Sequence, residues 1–179
     1  DLDEYVYDVD SSSFTFSVNE NPSNGVATLS NNELIYVPSA NFFGQDSLSW
    51  KANDGEADSE IFTFLLNVSP VDDLPTTSDI NETIDENRSS NRNVGITLLG
   101  SDVDGDALTY SLVTTPQNGT YSIDANILTY NANQDWNGVE TFTYKANDGT
   151  FDSNISSITI TVNPVNDNPV VTVGDPFAE

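Results

Sequence analysis

Slid along itself by 94 residues, the chain finds its own sequence again: KANDG stands at 51–55 and at 145–149, and VSPVDDLP at 68–75 answers VNPVNDNP at 162–169. Without a gap, 25 of the 68 positions from Asp8 to Pro75 are identical to their partners. A match of that length makes the chain an array of like units rather than one large domain. The register sets the boundaries: a first unit over 1–74 that lacks its opening strand, a complete unit over 75–168, and the start of a third over 169–179. The expectation is a window on a longer array.

Within the complete unit, short apolar-alternating runs sit between turn signals, the pattern of an all-β sandwich. Strands are predicted at 80–85 (A), 94–100 (B), 107–113 (C), 119–123 (D), 127–130 (E), 141–146 (F) and 155–162 (G). Asn118-Gly119 and Asp148-Gly149 are tight-turn pairs that tolerate positive φ. Along F, Phe142, Tyr144 and Ala146 alternate with Thr141, Thr143 and Lys145. Leu48, Trp50 and Ala52 take the same core face in the first unit, so Lys51 and Lys145 face water. The fold class is therefore all-β, with tandem seven-stranded Greek-key β-sandwiches joined end to end.

Charge narrows the partners. With 29 acidic against 4 basic residues the formal charge is -25, which excludes nucleic acid, whose phosphates need Lys and Arg, and an anionic membrane surface with it. Ten per cent aromatic content argues for a folded chain rather than an acidic disordered one. Of the acids 20 are Asp, beside 22 Asn, the mix of a turn-rich β protein. Cys and His are both absent, so disulfides, thiolate metal sites and His-based nucleophilic chemistry are out of reach.

The densest acidic stretch is SDVDGD at 101–106. It fails the helix-loop-helix calcium pattern, because Ala107 stands where that loop needs glycine and Val113 where it needs its closing glutamate. One reading is that these aspartates only form turns. The strand order supplies another. In an antiparallel sandwich B and F run the same way and finish at the pole where A begins, so Asp102 and Asp104 after B, Asp148 after F, and Asp72 and Asp73 before A converge. The opposite pole gathers Glu86 after A, Asp135 between E and F, and Asn166 and Asp167 after G. Converging carboxylates repel unless a cation compensates, and hard oxygen ligands without His or Cys select calcium or, less well, magnesium.

These residues also resemble a known family. VGITLLGSDVDGDALTYSL is similar to the cadherin segment carrying a calcium-binding D-x-D pair; YKANDG and NPVNDNP resemble its A-x-D-x-G and D-x-N-D-N-x-P motifs, and IDEN its strand-A glutamate motif. The 94-residue period is closer still to bacterial cadherin-like tandem repeats of large secreted adhesins. The resemblance implies cadherin/Ig-like sandwiches and a calcium-rigidified extender of an extracellular or surface-attached protein. It implies Asp72, Asp73, Asp102, Asp104 and Asp148 as ligands at one junction, and Glu86, Asn166, Asp167 and Asp135 at the next. Asp8, Asp10 and Asp54 form half a site. The pattern is incomplete: Pro70 and Pro164 replace the first linker aspartate, Leu74 its last asparagine, and Asn41 stands opposite Asp135. One or two weakly held ions per junction are expected.

The alternative is a module that binds carbohydrate or a cell-surface protein through Trp50, Trp136, Phe42 and Phe43, unless those rings are core. Glycosidase chemistry needs paired carboxylates across a cleft, whereas these acids gather at the poles; the expectation is no enzyme. The tail PVVTVGDPFAE aligns with a strand A, which raises strand addition between molecules.

Overall fold

The computed structural model describes residues 1–86 and 93–169. The predicted start of a third unit, apart from Pro169, lies outside the described residues. Two compact units divide the chain, Asp1–Asp72 and Asp73–Glu179.

In the second unit the described residues form nine strands: β6 (Thr76–Thr77), β7 (Ile80–Asp85), β8 (Asn93–Thr97), β9 (Gly100–Ser101), β10 (Thr109–Thr114), β11 (Gly119–Asp124), β12 (Ile127–Ala132), β13 (Gly138–Asn147) and β14 (Ser156–Asn163). Predicted A is β7, preceded by a short first piece, β6, that the sequence reading missed, and predicted B runs in two pieces, β8 and β9. The first piece of A, β6, pairs antiparallel with the last piece of B, β9, while β7 crosses to the other sheet and pairs parallel with β14. The two main sheets have strand orders β10-β13-β14-β7 and β11-β12-β8. This is a Greek-key sandwich in which the opening strand switches sheets.

Period-two burial explains the packing. Along β14 every second residue is buried, with Ile158, Ile160 and Val162 inward, and along β13 Phe142, Tyr144 and Ala146 point the same way. They meet Ile96, Leu98, Leu128 and Tyr130 from the other sheet in one core. Burying side chains of this size stabilises by about 1.5–3 kcal/mol each. Lys145 lies on the opposite face of β13, paired with Asp152.

The first unit has five strands rather than seven: β1 (Thr15–Glu20), β2 (Gly25–Ser30), β3 (Glu33–Pro38), β4 (Gly44–Asn53) and β5 (Phe62–Val68). They form a β1-β4-β5 sheet and a β2-β3 hairpin. Where the repeat register would place the end of strand B, Leu2–Tyr5 makes a single 3₁₀ turn. Leu2 is still buried and donates its N–H to Asn32 O at 2.8 Å, as Leu98 does to Asn126 O in the second unit. Leu48, Trp50 and Ala52 form the core with Leu2. Both units share a bulge at one place, between Val18 and Glu20 against β4 and between Leu112 and Thr114 against β13. The duplication therefore copies irregularities as well as strands.

Candidate calcium-binding poles

Asp102 in the SDVDG loop and Asp148 after β13 each close a turn. Asp102 Oδ1 accepts the N–H groups of Asp104 at 2.8 Å, Gly105 at 3.0 Å and Asp106 at 3.3 Å. Asp148 Oδ1 does the same for Thr150 at 2.6 Å and Phe151 at 2.7 Å. The turn reading of these residues is thus right for one oxygen of each. The second oxygens, Asp102 Oδ2 and Asp148 Oδ2, are buried and have no hydrogen-bond partner. A buried carboxylate oxygen left bare costs free energy comparable to several lost hydrogen bonds unless something compensates. Asp104 Oδ2 accepts the Asp73 N–H at 2.8 Å, which fastens the start of the unit to this loop.

The first unit repeats the turns, without the bare buried oxygens. Asp8 Oδ1 accepts from Asp10 N and Ser11 N, each at 2.9 Å, and Asp54 Oδ1 accepts from Glu56 N at 2.8 Å and Ala57 N at 2.7 Å. These amides hold the Asp8 and Asp54 carboxyls below the usual carboxylate range. Asp10 moves the other way: its hydrogen bond with Asp8 and the charges of Asp8 and then Asp54 push it up. Asp8, Asp10 and Asp54 therefore feel one another, and Asp8 and Asp54 line one cavity of about 150 Å³. The oxygen-only donor set and the two bare oxygens fit a hard divalent cation. Among the described residues, no group of three or more Asp, Glu, His or Cys side chains stands close enough together to hold a metal ion.

The opposite pole is less open. Glu86 is 7% exposed; its Oε1 accepts from Val165 N at 2.9 Å and its Oε2 from Asn137 Nδ2 at 3.1 Å. It already has a job, clasping the end of β14 to the β12–β13 connection. Asn166 and Asp167 are exposed, with Asn166 Nδ2 donating to the Asp167 carbonyl at 3.1 Å. Asp135 is exposed and makes no hydrogen bond among the described residues. It sits at φ +58°, and Asn41, its counterpart, at φ +60°. Asn and Asp both tolerate that left-handed conformation, so backbone shape relates this pair. Asp72 is exposed.

One carboxylate in each unit escaped the sequence reading. Asp46, 7% exposed, accepts from Ser23 N, Asn24 N and Tyr36 Oη at 2.9–3.0 Å. Glu140, 5% exposed, accepts from Gln117 N, Asn118 N and Tyr130 Oη. Burial pushes Asp46 up, but the backbone amides of Asn24, Ser47 and Ser23 and the Tyr36 hydroxyl outweigh it and leave the group below the usual range. The acid-for-acid pairing at 46 and 140 beside the identical Tyr36 and Tyr130 was the signal available. The aromatic set resolves into core and surface: Trp50 is 3% exposed, Phe42 and Trp136 are half-buried, and only Phe43 stands out at 57%.

A family model described as a bacterial cadherin-like domain matches residues 72–164, more than half of the chain, and one described as a bacterial Ig domain matches residues 2–67. Domains of these kinds are extracellular, adhesion-type modules. No curated protein matches. Among solved structures, the first two repeats of human protocadherin-24 align at TM-score 0.53 and 17% identity over 87% of this chain and 83% of that one. The protocadherin γB4 extracellular domain aligns at 0.54 and 14% over 91% and 30%. These likenesses show the fold. An endo-fucoidan hydrolase of glycoside hydrolase family 107 overlaps at TM-score 0.41 and 24% identity, and this chain spans 24% of that protein's length. Among the described residues no helix is long and apolar enough to cross a membrane. The fold, the repeat and the family match agree: the chain belongs to the bacterial cadherin-like domain family.

Proposed function

We propose that the chain is an extender segment of a large extracellular or surface adhesin, stiffened by calcium at the joints between its repeats. The observation that carries this reading is the pair of buried, partnerless oxygens on Asp102 and Asp148. Each carboxylate is fixed by the backbone through one oxygen and presents the other, so the ligand atoms are oriented before any ion arrives. Asp104, tied to Asp73, and the linker residue Asp72 would complete the set. Asp8, Asp10 and Asp54 would serve a preceding repeat, and Glu86, Asn166, Asp167 and Asp135 a following one. Calcium supplies positive charge and six to eight coordination bonds. A linker bonded to such an ion through both of its units loses the freedom it has alone. Sites built from so few ligands suit the ~10⁻⁴ to 10⁻³ M range of extracellular modules. In this role the chain carries no catalysis, and its partners are neighbouring repeats and the surface the adhesin grips.

Calcium titration by calorimetry, paired with small-angle scattering, tests the reading. The wild type is expected to bind and to lengthen. The double variant Asp102→Asn, Asp148→Asn should do neither, while keeping its fold, because an amide oxygen still closes each turn. Binding unchanged in that variant would place the ion elsewhere.

A further inference from the structure

Three Asn-Gly pairs occur in the chain, at 24–25, 118–119 and 137–138. Asparagine before glycine is the pair most open to spontaneous deamidation, because glycine has no side chain to hinder the attack of its own backbone nitrogen on the asparagine amide. The fold treats the three differently. Gly25 and Gly119 open β2 and β11 in tight quarters: a Cβ would meet the Tyr36 ring at 2.4 Å and Val37 O at 2.6 Å in one, and Asn131 O and the Tyr130 ring at 2.6 Å in the other. The carbonyls before them are pinned, Asn24 O by Ser39 N at 2.8 Å, and Asn118 O by Asn133 N at 2.8 Å and the Tyr130 hydroxyl at 3.2 Å. Both asparagines are half-buried and donate their backbone N–H to the buried acids Asp46 and Glu140. Asn137, by contrast, is exposed in the β12–β13 connection. The nearest atom to a Cβ on Gly138 would be on the Trp136 ring, at 3.4 Å. In the first unit Phe43 stands in the place of Asn137.

We propose that Asn137 deamidates spontaneously in the folded chain and that this conversion releases the clasp made by Glu86. The Gly138 nitrogen bonds to Asn137 Cγ, the side-chain nitrogen leaves as ammonia with the proton that Gly138 gives up, and water opens the resulting five-membered imide to aspartate or isoaspartate. Water is the only co-reactant. The position of Asn137 decides the consequence. Its Nδ2 donates to Glu86 Oε2 at 3.1 Å, and Glu86 is 7% exposed with Val165 N on its other oxygen. Either product puts a carboxylate where that donor stood, so a buried charge loses a partner and faces a like charge. Isoaspartate also inserts a methylene into the main chain beside Trp136, which packs against the core. The end of β14 and the β12–β13 connection then come apart, in one direction only and at a rate set by chemistry rather than by a ligand.

Ageing the full chain at mildly alkaline pH, followed by peptide mapping and isoaspartate-specific methylation, is the test. Calcium-free buffer keeps the result separate from the cation reading, and a sample held unfolded in urea gives the intrinsic rates. In urea the three pairs should convert alike. In the folded chain Asn137 should convert about tenfold or more ahead of Asn24 and Asn118. Hydrogen exchange at the Val165 amide and over residues 133–138 should quicken by about tenfold in the aged chain and in Asn137→Asp. Asn137→Gln, which keeps an amide and lacks the five-membered route, should not change its exchange on ageing. Asn137 staying intact while the unfolded sample converts would overturn the proposal, as would conversion no faster than at Asn24 and Asn118. Exchange at Val165 unmoved in Asn137→Asp would overturn the release of the clasp.

Discussion

Glu140 is a buried acid whose donors are all uncharged: two backbone amides, the Asn118 side chain and a phenol. That arrangement stabilises only while every donor is satisfied. Glu140→Ala strands them together and should cost about 3 kcal/mol in chemical denaturation, the scale of a charged hydrogen bond plus unsatisfied partners. Burial and then the Glu140 carboxylate push the Tyr130 phenol far above its usual range, so the phenol keeps its proton through alkaline conditions. Asp46, the counterpart in the first unit, gives an acid-side signature. Its folded-state pKa is depressed, so its stabilisation is complete above the ordinary Asp range and fades as pH falls through the depressed value. Asp46→Asn should flatten the acid limb of the first unit's unfolding curve. Asp10 has the opposite sign. With its pKa raised by Asp8, the folded form holds its proton longer, and stability declines as pH climbs from the ordinary to the raised value. A cation on that trio would remove the penalty. Calcium binding should therefore release protons in buffers near the carboxylate range and none at neutral pH, measurable as a buffer-dependent heat.

At the level of elements, strand positions were legible because period-two burial leaves plain marks; A, D, E, F and G lie within three residues of their observed ends, and Gly149 takes the expected positive φ, whereas Asn118-Gly119 does not, Gly119 being the first residue of β11. Three features were not legible. B is broken between Thr97 and Gly100, and Gly100 lies where a Cβ would stand 2.8 Å from the Tyr110 hydroxyl, a tertiary contact no local pattern announces. The transfer of A from one sheet to the other depends on which edges are free. The 3₁₀ turn at Leu2–Tyr5 keeps Leu2 buried without a strand around it. Of the candidate site, the loop aspartates were readable from spacing and strand parity, whereas the turn duty of Asp135 and the clasp made by Glu86 required backbone angles and contacts. Gly119 offers a test of packing at this scale. A Cβ there would lie 2.6 Å from Asn131 O and from the ring of Tyr130, and Tyr130 is wholly buried. Gly119→Ala should destabilise the second unit by about 1–3 kcal/mol in thermal or denaturant melts, through overpacking.

The whole molecule sets two units of one ancestry side by side in sequence with unequal inventories of strands. In the second, β7 and β14 run parallel through six consecutive residue pairs, from Ile80 opposite Ile158 to Asp85 opposite Asn163. β7 enters the unit and β14 leaves it. Tension applied along the chain therefore slides these two strands past each other, and the pairs share the load instead of parting one at a time as in a peeled hairpin. Such a joint fails abruptly, at a rate set by its unfolding barrier. The last strand of the first unit, β5, has no parallel companion among the described residues. Pulled between two beads, the second unit should give way in a single abrupt step. A tether made of units clamped like the second would keep its length under a moderate tug and then yield by whole units, one at a time.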